Sequence, residues 1–304
     1  MPISKIQILG VPMDLGQDRR GVDMGPSAIR AAGLHARLRS LGYDIEDAGN
    51  IPAAILETRA FKNPRAKYLE EIAETCRRLA RGVTDALQKK SAPLVLGGDH
   101  SIAIGTVTGV SRYFQKKGKR IGLIWIDAHA DMNTPQTSPS GNVHGMPLAC
   151  CVGLGPKELT HLAGYAPVVR PQNVVLVGVR DVDVLEKPHV RRSGVKAFTM
   201  REIDERGMRA VMEDAVKIVC KETDGFHVSL DMDFVDPSEA PGVGTPIRGG
   251  GTYREAHLAL EMISDTGGMT SMEIVEVNPI LDSSNRTANL AVELAMSAFG
   301  KRIM

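Results

Sequence analysis

Six side chains able to ligate a metal fall in three short clusters, and each cluster follows an apolar run. Gly97-Gly98-Asp99-His100 follows Leu94-Val95-Leu96, Asp127-Ala128-His129-Ala130-Asp131 follows Ile121 to Ile126, and Asp231-Met232-Asp233 follows Val228 to Leu230. The candidate ligands are His100, Asp127, His129, Asp131, Asp231 and Asp233. Carboxylate oxygens dominate, two imidazoles join them, and no thiolate does. That donor set suits a hydrated divalent cation such as manganese and not a structural zinc. So many aspartates exceed what one catalytic ion needs, so the pattern predicts a two-metal site for hydrolysis.

Side chains alternate faces along an extended chain. Asp127, His129 and Asp131 can therefore project to one side as a strand runs out, and so can Asp231 and Asp233. Residues two apart have Cα atoms roughly 7 Å apart, within reach of two ions about 3.5–4 Å apart. A single Asp-x-His-x-Asp would describe many solvated turns. Three clusters in one structural setting point instead to a metal. Without a cation, this many carboxylates in one place repel each other.

The elements that must position these clusters alternate along the chain. Strand-like runs span Ile6 to Leu9, the residues before Gly97, Ile121 to Ile126, Val174 to Val179, Phe226 to Leu230, and Met272 to Val277. A glycine-rich polar loop runs from Val11 to Pro26, where Pro26 suits a first helical turn and Ile29, Ala32, Leu34 and Leu38 form an apolar side. Leu69, Ile72, Cys76, Leu79, Val83 and Leu87 recur at helical spacing and predict a long helix from about Pro64 to Lys90. Further helices are expected from near Ser101, over Tyr253 to Thr266, and over Ser284 to Phe299. Continuously apolar strands are buried on both faces, as in parallel sheets. The expectation is an α/β protein: a single-domain, doubly wound parallel β-sheet over residues 1–304, with helices on both faces. Ligands of that class bind beyond the C-terminal ends of the strands, where the three clusters fall.

A net charge of +1 argues against a nucleic-acid surface. The basic runs at Lys89-Lys90 and Lys116 to Arg120 read as solvated helix ends, where cations oppose the helix dipole. The start, Met1 to Lys5, has no signal-peptide pattern, and no apolar run approaches membrane-spanning length. Cys76, Cys150, Cys151 and Cys220 lack zinc or redox spacing and are expected to be free buried thiols in a reducing cytoplasm.

The loop after Asp131, Met132 to Gly145, is rich in short donors and acceptors: Asn133, Ser138, Ser140 and Asn142. Their hydroxyls and amides could hold an amino-acid carboxylate without a charged partner. With this loop and the three clusters in hand, the chain resembles the arginases of the ureohydrolase family, bacterial arginases above all. The likeness covers nearly the whole chain, including Ser140-Gly141-Asn142-Val143-His144-Gly145, Ala240 to Pro246 and Glu276-Val277-Asn278-Pro279. The metal clusters are common to the broader family, agmatinases included, whereas the Ser-x-Asn-x-His loop looks specific to arginases.

The resemblance implies an arginase/deacetylase-like fold and two Mn2+ per subunit. His100, Asp127, Asp131 and Asp231 would bind one ion, and His129, Asp127, Asp231 and Asp233 the other, with Asp127 and Asp231 bridging. It also implies that Asn133, Ser138, Ser140 and Asn142 receive the α-carboxylate of L-arginine, and Asp183 the α-amino group with help from Glu186. Glu276 would pair with the guanidinium, Thr245 would line the pocket, and His144 would be the acid–base or proton-shuttle residue.

A guanidinium carbon is a poor electrophile and the group stays protonated, with a pKa above about 12. Two metals lower the pKa of a shared water from about 15.7 to about 7–9, supplying a metal-bridging hydroxide near neutral pH. Attack on arginine would give L-ornithine and urea, with Asp131 carrying a proton to the leaving amine. The competing readings are another ureohydrolase, acting on agmatine or a guanidino acid, a single-zinc deacetylase, and a non-catalytic metal-dependent binding protein. One departure stands out: Arg248 occupies a position where many relatives carry a small or apolar residue. The resemblance further implies a cytoplasmic homo-oligomer, a hexamer or a trimer; the chain's end at Met304 favours the hexamer.

Overall fold

The structure, a computed structural model, describes residues 3–302. The expected aliphatic runs form strands, and two more strands flank them: β1 (Lys5–Val11), β2 (Asp44–Asn50), β3 (Ala92–Gly97), β4 (Gly122–Ile126), β5 (Val174–Val179), β6 (Lys196–Thr199), β7 (Phe226–Asp231) and β8 (Met269–Val275). They make one sheet in the order β2-β1-β3-β8-β7-β4-β5-β6, and every pairing is parallel.

The helices are α1 (Gly25–Ala31), α2 (Leu34–Ser40), α3 (Leu69–Gln88), α4 (Ala103–Gln115), α5 (Pro147–Cys151), α6 (Lys157–Thr160), α7 (Lys187–Ser193), α8 (Met200–Val219), α9 (Tyr253–Asp265) and α10 (Arg286–Ala298). Alternate strand residues enter two separate cores, because successive side chains point to opposite faces. Ile8, Leu96, Ile124, Val177 and Val228 pack with α1, α2, α8, α9 and α10. Leu9, Val95, Leu123, Trp125 and Leu176 pack with α3, α4 and α5. The sheet is thus doubly wound, as expected.

Several boundaries differ from the expectation. The apolar stretch from Ile29 to Leu38 breaks into α1 and α2 at Gly33, whose φ of +85° leaves the helical region. The long helix starts at Leu69, not near Pro64, because Tyr68 takes a left-handed φ of 51° at its N-cap. β2 escapes sequence analysis because it is mostly exposed (Asp-Ile-Glu-Asp-Ala-Gly-Asn) and shows no apolar run. α8 also escapes, although Thr199 and Glu202 form a capping box at its start, a signal readable as Thr-x-x-Glu. Of the cysteines, Cys76, Cys150 and Cys151 are buried free thiols, but Cys220 at the end of α8 is exposed. The basic runs do sit at helix ends, after α3 and α4.

What matters for the site is the C-terminal edge of the sheet. Leu96, Ile126, Leu230 and Ile274, just before the functional residues, are at most 1% exposed. Burying one such side chain contributes roughly 1.5–3 kcal/mol. Anchors of that size on four adjacent strands hold the edge fixed while like charges gathered on it push apart.

Candidate metal centre and active site

All three clusters meet at this edge. His100 follows β3, Asp127, His129 and Asp131 follow β4, and Asp231 and Asp233 close β7. His100 Nδ1 lies 3.2 Å from Asp127 Oδ2, 3.1 Å from Asp131 Oδ2 and 3.1 Å from Asp231 Oδ2. His129 Nδ1 lies 3.5 Å from Asp127 Oδ1 and 3.0 Å from Asp233 Oδ2. Asp127 therefore turns one oxygen to each histidine and joins two overlapping groups, each compact enough to hold a cation. Asp231 Oδ2 lies on the His100 side, while its Oδ1 accepts the Asp233 N–H at 2.8 Å.

The donors fit a hard divalent cation. His100 Nδ1 and Asp131 Oδ2 are buried without a hydrogen-bond partner among the described residues. Three carboxylates converge on one ring nitrogen that can carry at most one proton, and a buried polar atom left unmatched is costly. A cation satisfies all of these atoms at once, and oxygen-rich sites suit Mn, Mg or Ca.

Surrounding groups aim the candidate ligands. Backbone N–H groups of His129 and Ala128 donate to Asp127 Oδ1 (2.7 Å) and Asp233 Oδ1 (3.2 Å). Trp125 Nε1 donates to Asp127 Oδ2 at 2.9 Å, and its ring stacks on His100 with centroids 4.2 Å apart. His100 Nε2 meets Ser229 Oγ at 2.8 Å, which leaves Nδ1 for the cluster. Thr245 Oγ1 donates to Asp233 Oδ2 at 3.1 Å. Asp131 (φ 52°) and Glu276 (φ 65°) both hold left-handed backbones. Such strain in non-glycine residues costs about 1–3 kcal/mol and gathers at functional sites.

Above the ligands lies a cavity of about 190 Å³ lined by residues including His129, Asp131, Asn133, Ser138, Ser140, Asn142, His144, Asp183, Glu186 and Thr245. Ser138 Oγ accepts the Gly141 N–H (2.9 Å) and Ser140 Oγ accepts the Asn142 N–H (3.2 Å). The two hydroxyl oxygens lie 3.5 Å apart, close enough for one to donate to the other, which leaves the second proton free to point outward. Asp183 accepts from Asn133 Nδ2 at 2.8 Å. Glu186 is buried and ties two loops together by accepting from Met132 N (2.7 Å) and Asp183 N (3.1 Å). Burial pushes its carboxyl up to about 7, ahead of the opposing backbone donors.

Glu276 is buried, not at a strand-end surface. Its Oε1 accepts the His100 backbone N–H at 2.9 Å and meets His144 Nδ1 at 3.3 Å. Burial resists its charge, but His144 overcomes this and holds the carboxyl below its ordinary range. Burial likewise opposes a charge on His144, and Glu276 outweighs it and raises the imidazole. Asp99, the remaining carboxylate of its cluster, is not in either metal group; it accepts from Ser101 N (3.0 Å) and Gly16 N (2.9 Å). Arg248 is exposed and does not line the cavity.

The polar loop between β1 and α1 takes part in the site although no sequence signal marks it. Gly16 carries the His144 N–H on its carbonyl (3.0 Å) and gives its own N–H to Asp99. Gln17 Nε2 donates to Glu276 Oε2 at 2.8 Å. His189, assigned no role from sequence, places Nδ1 3.0 Å from the Met132 carbonyl, under the pocket loop. No periodicity or short motif marks these contacts; in Gln17 and Glu276 they join residues 259 apart.

Fold and site together define a parallel α/β protein that gathers two overlapping His/Asp groups at the C-terminal edge of its sheet. The chain belongs to the arginase family: that family's sequence profile matches residues 4–300, and the protein is an arginase-family hydrolase. The arginase of Bacillus caldovelox is 53% identical over 300 residues, covering 98% of this chain and 99% of that one. Its solved structure superposes with a TM-score of 0.94 over 100% of both chains. The arginase of Bacillus subtilis (strain 168) is 50% identical over 299 residues, covering 98% and 99%. An Entamoeba histolytica arginase solved with L-ornithine has a TM-score of 0.91 at 31% identity, over 99% of this chain and 100% of that one. Among the described residues no helix is long and apolar enough to cross a membrane.

Proposed function

We propose that this chain, as one ureohydrolase domain over residues 1–304, hydrolyses L-arginine to L-ornithine and urea with two Mn2+ per subunit. The observation that carries this reading is the pair of His/Asp groups sharing Asp127 beneath a cavity rimmed by serine hydroxyls and asparagine amides. His100, Asp127, Asp131 and Asp231 would hold one ion, and His129, Asp127, Asp231 and Asp233 the other. When bound, such a pair acidifies a shared water and so supplies a nucleophile at neutral pH.

The chain's own residues do the rest. Glu276 receives the guanidinium in a charge-assisted contact. Asn133, Ser138, Ser140 and Asn142 receive the α-carboxylate, and Asp183 with Glu186 the α-amino group. Together they hold the long substrate at both ends, so the guanidinium carbon is presented in one orientation. Thr245 lines the pocket and steadies Asp233. Asp131 passes a proton to the leaving amine, and His144, half-buried beside Glu276, exchanges protons with solvent. The Entamoeba histolytica arginase bound to L-ornithine supports a pocket that accepts this product. We place the working enzyme in the cytoplasm as a homohexamer or trimer.

Urea release from arginine, agmatine and a guanidino acid, with and without Mn2+, tests this directly. Manganese-dependent turnover of arginine well above agmatine is expected, rising with pH. Equal use of agmatine, which has no carboxylate, would remove the role of the hydroxyl rim. Bound Mn2+ with no urea from any guanidine would leave only a binding protein.

A further inference from the structure

The segment before α3 carries no recognisable motif, yet it docks on the loop that forms the cavity rim. Lys67 N donates to the Gly141 carbonyl at 3.0 Å. Gly141 has a φ of +73°, and a Cβ there would stand 1.9 Å from the Pro64 carbonyl oxygen. Only glycine permits that approach. The loop and the segment therefore meet backbone to backbone, and Lys67 is carried to the rim.

There it joins a closed triangle with two other residues. Lys67 Nζ donates to Asn142 Oδ1 at 3.0 Å and to Asp18 Oδ1 and Oδ2 at 2.8 and 3.1 Å. Asn142 Nδ2 donates to Asp18 Oδ2 at 3.1 Å. Lys67 keeps only 17% of its side chain exposed. An ammonium has no acceptor and a carboxylate has no donor. The pair therefore dictates which end of the Asn142 amide faces which: carbonyl to Lys67, amino group to Asp18. One amide N–H goes to Asp18 and one remains. In the flipped amide, a carbonyl oxygen would take the place of that donor, and an oxygen repels an anion.

We propose that Lys67 and Asp18 are positioning residues for substrate recognition: by fixing the Asn142 amide they present its remaining N–H to the α-carboxylate and so set the preference for substrates that carry one. This rests on the assignment of Asn142 above and deepens it. Asp18 neutralises Lys67, so the pair acts through the orientation of Asn142 and not by a bare charge.

The test compares wild type, Lys67→Met and Lys67→Arg, all loaded with Mn2+. Calorimetry measures L-ornithine, which has the carboxylate, against 1,4-diaminobutane, which lacks it; steady-state kinetics give KM and kcat for L-arginine. Lys67→Met should raise the ornithine Kd and the arginine KM about tenfold, the scale of one well-placed hydrogen bond to a charge. It should leave kcat within about twofold and the diamine Kd and Mn2+ content unmoved, and Lys67→Arg should restore most of the loss. An unchanged ornithine Kd, or equal weakening of ornithine and diamine, overturns the proposal. If Lys67→Met fails to fold, Asp18→Asn carries the same comparison with about a threefold effect expected. A wild type that neither binds ornithine nor releases urea would overturn the proposed function itself; an active wild type with an unmoved variant overturns only this inference.

Discussion

At the floor of the cavity and just beneath it, Asp233 and Asp127 are at most 1% exposed and stand just beyond strand ends. At the rim, Ser140 and Asp183 are exposed and stand on loops. The floor takes its geometry from the sheet: parallel strands in register bring their C-terminal residues side by side, so short clusters after apolar runs must converge. The rim takes its geometry from contacts between distant segments, such as Asn142 with Asp18, 124 residues apart. On the proposed roles, metal ligation rests on the rigid scaffold and substrate choice on loops that the scaffold brings together.

Substitutions can sharpen or break that contrast. The largest effect should come from Asp127→Ala, which removes the carboxylate common to both groups. Turnover should fall by about 10³-fold or more together with Mn2+ content, measured by urea release and metal analysis. Retained metal with full turnover would break the floor assignment. Glu276→Gln should keep the metal yet lower kcat/KM about 10²-fold, because the charge facing the guanidinium is gone while the shape remains. Gln17→Ala should produce a smaller loss, about tenfold, through a Glu276 left free to shift. If Gln17→Ala matches Glu276→Gln, the glutamine is doing more than positioning.

At the rim, Asn142→Ala should raise the arginine KM about tenfold with Mn2+ content untouched; equal loss of metal would merge rim and floor. The smallest effect concerns stability. Asp236 accepts backbone N–H groups from Ser238, Gly249 and Gly250 at 3.0, 2.8 and 3.1 Å, fastening the loop that carries Thr245. The Ser238 donors above all hold its carboxyl down to about 2. A depressed folded-state pKa means stability present above the unfolded value, about 3.9, and lost as pH falls toward 2. The urea midpoint of Asp236→Asn should therefore trail wild type at pH 7, with the gap narrowing as pH falls from about 4 toward 2. A constant gap would assign the effect to packing instead.

Much of the floor was legible in the sequence. Asp127, His129 and Asp131 share a strand exit, and so do Asp231 and Asp233, and the strand periodicity already implied that these exits lie on one edge. The sequence points to His144 and Glu276 only through the resemblance, and their 3.3 Å contact exists only in the folded chain. Gln17, Asp18 and Lys67 were not legible at all. They sit in a polar loop and an irregular turn, where neither alternation nor helical spacing marks a direction, and their partners are remote in the chain. β2 was hidden for a related reason: an exposed edge strand has no apolar face to betray it.

Anomalous diffraction from crystals grown with manganese tests the two-metal floor most directly. Two peaks per chain are expected on either side of Asp127, one against His100 and one against His129. A single peak, or loops that carry these histidines away from one another, would contradict it.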